Sequence, residues 1–143
     1  MTDLSENDAT VAELSRRLIA ACPSFGPRWD EYLATAGRRG DGVTAVDAEV
    51  ELAEHLVDQL VACQTDEFGP TLEVVESLNV GDDPWLAEIF GGYFVDELQT
   101  NALRHGDWNF ANRFRLWLGP RTLEYWTALY YNWKSDQGLS PTL

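Results

Sequence analysis

The chain has 143 residues, enough for one domain with a core of its own, and 45% of them are hydrophobic. Its formal charge is −14, from 24 acidic and 10 basic residues, which disfavours nucleic acid and anionic membranes as partners. No run of about 18 apolar residues occurs, so no membrane span is expected. The polar, acidic opening Met1–Asp8 lacks the basic start and apolar stretch of a secretory leader.

The pattern along the chain is helical throughout. Residues 1–8 are expected to be disordered and 9–134 to form a single helical domain. Val11, Leu14, Leu18 and Ile19 recur at helical spacing and place a first helix over Ala9–Ala21, stopped by Pro23. Ser24 and Pro27 open a second, which carries Trp29, Tyr32 and Leu33 and ends near Ala36. Three glycines between Gly37 and Gly42 make a loop. A third helix spans Ala45–Cys63, with Val50, Leu52, Leu56, Val57, Leu60 and Val61 on one broad face. Phe68, Leu72, Val75 and Leu78 mark a fourth, from Asp66. Asp83 as cap and Pro84 at the first position start a fifth, which runs to Leu103. Its apolar residues, from Trp85 to Leu98, surround the wheel, so it should be the most buried helix. Gly91-Gly92 in its middle costs about 1 kcal/mol per glycine relative to alanine, which a close crossing by another helix would offset. Asp107 caps a short helix over Asn109–Trp117. A last helix runs from Arg121 to Trp133, with Leu123, Trp126, Leu129, Tyr130 and Trp133 inward. The tail 135–143 is expected to be disordered. The fold class is all-α, six to seven helices in an orthogonal or HEAT-like stack.

The charge is concentrated. Between Gly40 and Leu103 there are 15 acids and no lysine or arginine. On the third helix Asp47, Glu51, Glu54, His55 and Asp58 gather opposite the apolar face, so these carboxylates are expected to be exposed and to repel one another. They read either as a solvated outer face or as a surface that steers a basic partner. Tyr125 and Tyr131 fall off the inner face of the last helix, and Trp85 stands at a helix start. These three are candidate contact residues, since Trp and Tyr are favoured anchors at interfaces. Nine of 17 aromatic residues lie between Trp108 and Trp133, interleaved with Arg113, Arg115 and Arg121, as a packed core with acid pairing would require.

Catalytic signatures are missing. The chain has no nucleophile elbow, phosphate-binding loop or dinucleotide fingerprint. Two histidines and two cysteines, Cys22 and Cys63, are too scattered for an ordinary zinc motif, and both thiols are expected to be buried in a reducing, cytoplasmic setting. Asp47, Glu51, His55 and Asp58 align along one helix, but no second helix offers a matching ligand set. No metal, cofactor or enzymatic activity is therefore expected.

Glu54–Leu60 and Gly92–Leu98 share a faint pattern, at a separation close to the roughly 40 residues of a HEAT-type repeat. Leu18–Phe25 followed by Trp29–Leu33, then Asp82-Asp83-Pro84, Phe94–Leu98 and Leu118-Gly119-Pro120, resemble the landmarks of a small uncharacterised bacterial all-helical family. The resemblance covers Val11 to Trp133. It implies HEAT-like helical hairpins and, often, an immunity-protein role in which a neighbouring toxin is neutralised. The expected function is accordingly a non-enzymatic acidic binding protein that occludes a basic toxin. The alternative is a helical scaffold or adaptor for a peptide or protein. Partner contacts are expected at Asp47, Glu51, Glu54, Asp58, Trp85, Tyr125 and Tyr131.

Overall fold

A computed structural model describes residues 4–136, with side chains described for residues 10–133. Residues 1–3 and 137–143, within the segments expected to be disordered, lie outside the described residues. The described chain is helical, with no strand among the described residues: α1 (Leu4–Ala21), α2 (Phe25–Arg39), α3 (Ala45–Val61), α4 (Phe68–Asn79), α5 (Pro84–Glu88), a π-helical segment (Ile89–Tyr93), α6 (Phe94–Leu103), α7 (Trp108–Ala111), a 3-10 turn (Asn112–Leu116) and α8 (Pro120–Asp136). None of these helices is long and apolar enough to cross a membrane.

Boundaries differ from the expected ones where local chemistry intervenes. α1 begins at Leu4, ahead of Ala9. α2 runs through Gly37 to Arg39, and Gly40 ends it with a positive φ of 74°. There the Asp41 amide donates to Ala36 and the Gly40 amide to Gly37, a Schellman closure that needs the left-handed residue glycine supplies. α3 closes the same way, but its left-handed residue is Cys63, with φ 58°. Cys63 is thus lifted off the helix and exposed, contrary to its expected burial, while Cys22 is fully buried. The expected caps are present. Asp83 accepts from the amides of Trp85 and Leu86, and Asp107 from that of Phe110.

The fifth helix is not continuous. Gly91 adopts φ −94°, ψ −105°, and the chain kinks there. The glycine pair does mark a close crossing: a β-carbon on Gly91 would lie 2.9 Å from Asn79 Oδ1 and 3.0 Å from a ring carbon of Tyr125. Burial follows the kink. Ile89, Phe90, Phe94, Val95 and Leu98 are fully buried, whereas α5 has no buried residue. α6 makes its most extensive contact with α3. Glu54, Val57 and Asp58 line one depression with Asn101, Arg104 and His105, and Glu49 faces Asp96 and Glu97, so the two helices run in the same direction.

α8 is held by a cap from elsewhere in the chain. Glu76, on α4, accepts from the amides of Arg121 and Thr122, each at 2.9 Å, and from the Thr122 hydroxyl at 2.7 Å. Gly119 makes room, since a β-carbon there would meet the Glu76 side chain at 2.5 Å. Partial burial alone would raise the Glu76 carboxyl, but these donors hold it below the ordinary carboxylate range. Its contribution is therefore present above the ordinary glutamate pKa and lost as pH falls through the lower folded value. Glu76→Ala is expected to lower stability by about 1–3 kcal/mol at neutral pH, with the difference from wild type shrinking below about pH 4. Urea titrations at both pH values check this, and a deficit that stays constant with pH would assign it to packing instead.

Candidate functional site

The acidic face of α3 is not the open stripe that its wheel predicts. α2 packs along it, and Arg28, from the second turn of α2, reaches between the carboxylates. Its guanidinium meets Glu51 at 3.4 Å, Glu54 at 2.8 Å and Asp58 at 3.0 Å. Asp47 is committed too. It accepts from the Tyr32 hydroxyl and, at the start of α3, from the Thr44 amide at 2.7 Å. That hydrogen bond to Asp47, with partial burial, pushes the Tyr32 phenol up to about 12. Asp47, Glu51 and Glu54 are half-buried and only Asp58 is exposed. Glu51 is raised above the ordinary carboxylate range by burial, against the pull of Arg28. The expected mutual repulsion is thus relieved by one base, contributed from outside the 64-residue acidic stretch.

Next to this network lies a second polar cluster that spacing in the sequence did not reveal. Ser24, at the start of α2, does not cap its own helix. Its hydroxyl instead donates to Glu67 and accepts from the Gln59 amide at 2.8 Å, and it lies 2.8 Å from His55 Nε2. Glu67 also accepts from the Ser24 amide at 3.3 Å, the Gln59 amide at 3.2 Å and the Cys22 thiol at 3.6 Å. The effects on protonation are coherent. Burial raises the Cys22 thiol, and burial followed by the Arg28 charge lowers the His55 imidazole. Burial would raise Glu67, but the Ser24 and Gln59 donors bring it below the ordinary range.

Chemically, the cluster is not arranged as a hydrolytic triad. In a triad the acid sits on the far nitrogen of the imidazole and the serine gives its proton to the near one. Here Glu67 accepts the hydrogen bond of the serine hydroxyl, which leaves His55 Nε2 to donate to Ser24 Oγ. What the cluster does offer is a thiol, an imidazole and a carboxylate converging from three segments. The expectation that no second ligand set faces α3 is therefore corrected: Cys22, after α1, and Glu67, before α4, both meet His55.

The remaining predicted contact residues divide. Trp85 is 54% exposed and Tyr131 40%. Tyr125 is half-buried, because its ring covers Gly91 and Gly92 and carries the Arg121 guanidinium 5.2 Å above it, so it serves packing rather than an open contact surface. Sequence reasoning missed Tyr93, which is 56% exposed on the kinked helix. The exposed side of that helix carries Trp85, Glu88, Tyr93 and Asp96, with Asp82 and Asp83 exposed just ahead of it. No protein-family model, curated protein or solved structure matches the chain.

Proposed function

We propose that the protein is a non-enzymatic binding protein that recognises a basic protein partner, in the manner of an immunity protein or antitoxin. The observation that carries this reading is the solvent side of the α5–α6 helix, where two large aromatic side chains stand in water among Asp82, Asp83, Glu88 and Asp96. Burying Trp85 and Tyr93 against a partner gains apolar area, and both rings accept cations over their faces. The surrounding carboxylates raise the association rate with a positively charged surface. Leu116 is also bare, but it follows Arg113 and Arg115, the wrong sign for the same partner. Asp58 and Glu54, partly neutralised by Arg28, add to the long-range field and are not the contact itself.

The test starts from affinity capture in the native cell and continues with stopped-flow association of the captured partner. Trp85→Ala and Tyr93→Ala are each expected to weaken binding by about 2 kcal/mol, roughly 30-fold, mainly through faster dissociation. The combined variant Asp82→Asn, Glu88→Gln, Asp96→Asn should slow association and flatten its salt dependence; Asp83 is left in place because it caps α5. Wild-type rates in both sets would exclude this face.

A further inference from the structure

We propose that Cys22, His55 and Glu67 form a three-ligand site for a divalent transition-metal cation, best matched by Zn2+, with its fourth position toward the exposed Ser24 hydroxyl. The first support is convergence. One sulfur, one ring nitrogen and one carboxylate oxygen, from the end of α1, the middle of α3 and the segment before α4, all lie within 4.8 Å of one another. The second is spacing. Cys22 Sγ and Glu67 Oε1 are 3.6 Å apart. Two donors bound to one tetrahedral zinc, at about 2.3 Å for sulfur and about 2.0 Å for oxygen, are separated by roughly 3.5 Å.

The third is donor chemistry. A thiolate with an imidazole and a carboxylate suits Zn2+, whereas Mg2+ and Ca2+ take oxygen ligands almost exclusively. Ser24 Oγ already touches every member of the set, at 2.8 Å from His55 Nε2, 3.8 Å from Cys22 Sγ and in hydrogen bond to Glu67. Its hydroxyl lies closer to His55 and Glu67 than co-ligands of one zinc would, so it moves outward for serine or water to take the fourth position. Gln59 adds an orphan beside the site. Its Nε2 serves Ser24 and Glu67, while its Oε1 is buried with no hydrogen-bond donor. The Arg28 charge reaches His55, but it is offset by Glu51, Glu54 and Asp58.

The site is independent of the α5–α6 face, so either reading can fail alone. The experiment uses the full chain with Cys63→Ser, which removes the exposed thiol. After treatment with a chelator, Co2+ is titrated in and absorption is followed. The expected result is a thiolate-to-cobalt charge-transfer band in the near ultraviolet that saturates at about one ion per chain and is abolished by Zn2+. Competition with a chromophoric chelator then gives the Zn2+ affinity, which is expected to fall about 100-fold or more in His55→Gln and in Glu67→Gln, and the cobalt band to vanish in Cys22→Ser. His55 and Glu67 are only half-buried, so their variants keep the test valid if Cys22→Ser fails to fold; circular dichroism monitors this. Absence of the charge-transfer band at saturating Co2+ would overturn the proposal, as would equal Zn2+ affinity in wild type, His55→Gln and Glu67→Gln, which would put the ion on surface carboxylates.

Discussion

Phe94→Ala is expected to lower the stability of the protein by about 3–5 kcal/mol in urea or guanidinium titration. Phe94 is fully buried at the first turn of α6, just after the π segment. Its ring lies 6.1 Å from that of Phe90, and both belong to the one continuous core that reaches from Leu14 on α1 to Trp126 on α8. Removing the ring loses its transfer free energy and leaves a cavity in the close-packed core at the start of α6, into which the neighbouring side chains relax only in part. A loss under 1 kcal/mol would mean that α6 is not the central element.

Glu49→Gln is expected to change stability in the opposite direction, and only at higher pH. Glu49 is 1% exposed, on the face of α3 that meets α6, and its Oε1 has no hydrogen-bond partner. Burial first, then the charges of Glu97 and Asp96, pushes its carboxyl up to about 8. The native protein therefore keeps a proton that the unfolded chain loses near pH 4.5. Through the window from about pH 4.5 to 8 the native state binds more protons than the unfolded one, so stability falls as pH rises, and the decline levels off above the folded value. Each pH unit at full slope corresponds to about 1.4 kcal/mol, and water reaching the ionised carboxylate reduces the total to about 3 kcal/mol. Glu49→Gln should match wild type near pH 5 and exceed it by about that amount at pH 8. Glu67 and Glu76, with lowered values, act below this window; His55, lowered, and Glu51, raised, act inside it, but both are common to the two proteins and cancel in the difference. Parallel stability curves for the two proteins would show that another group titrates.

The helices and the Asp83 and Asp107 caps were legible in the sequence because each depends on a few neighbouring residues, and the Gly91-Gly92 pair marked a close crossing without its partner. The partners at that crossing, Asn79 on α4 and Tyr125 on α8, were not legible, and neither was the kink at Gly91. The acidic face of α3 was misjudged for a related reason. A helical wheel shows which residues share a side but not what packs against that side, and Arg28 lies outside the basic-free stretch altogether. Cys22, His55 and Glu67 sit in three segments with no motif spacing, so only the packing of α1, α3 and α4 brings them together. Glu49 is the instructive exception. Ala45, Leu52, Ala53 and Leu56 share its face of α3, so its helical position alone puts this carboxyl in the core, a place not assigned to it from the sequence.

The long-range cap on α8 bears on the order in which the chain takes shape during synthesis. Glu76 leaves the ribosome well before Arg121 and Thr122, because translation proceeds from the N-terminus at about 5–20 residues per second. By the time Pro120 emerges, Glu76 is already clear of the ribosome, but α4, with 12 residues, holds its shape only when packed on the rest of the core. The first turn of α8, costly to nucleate in water, gains its acceptor when α4 packs against it. The start of α8 is thus tied to a residue 45 positions earlier in the chain, and it forms together with the packing of α4.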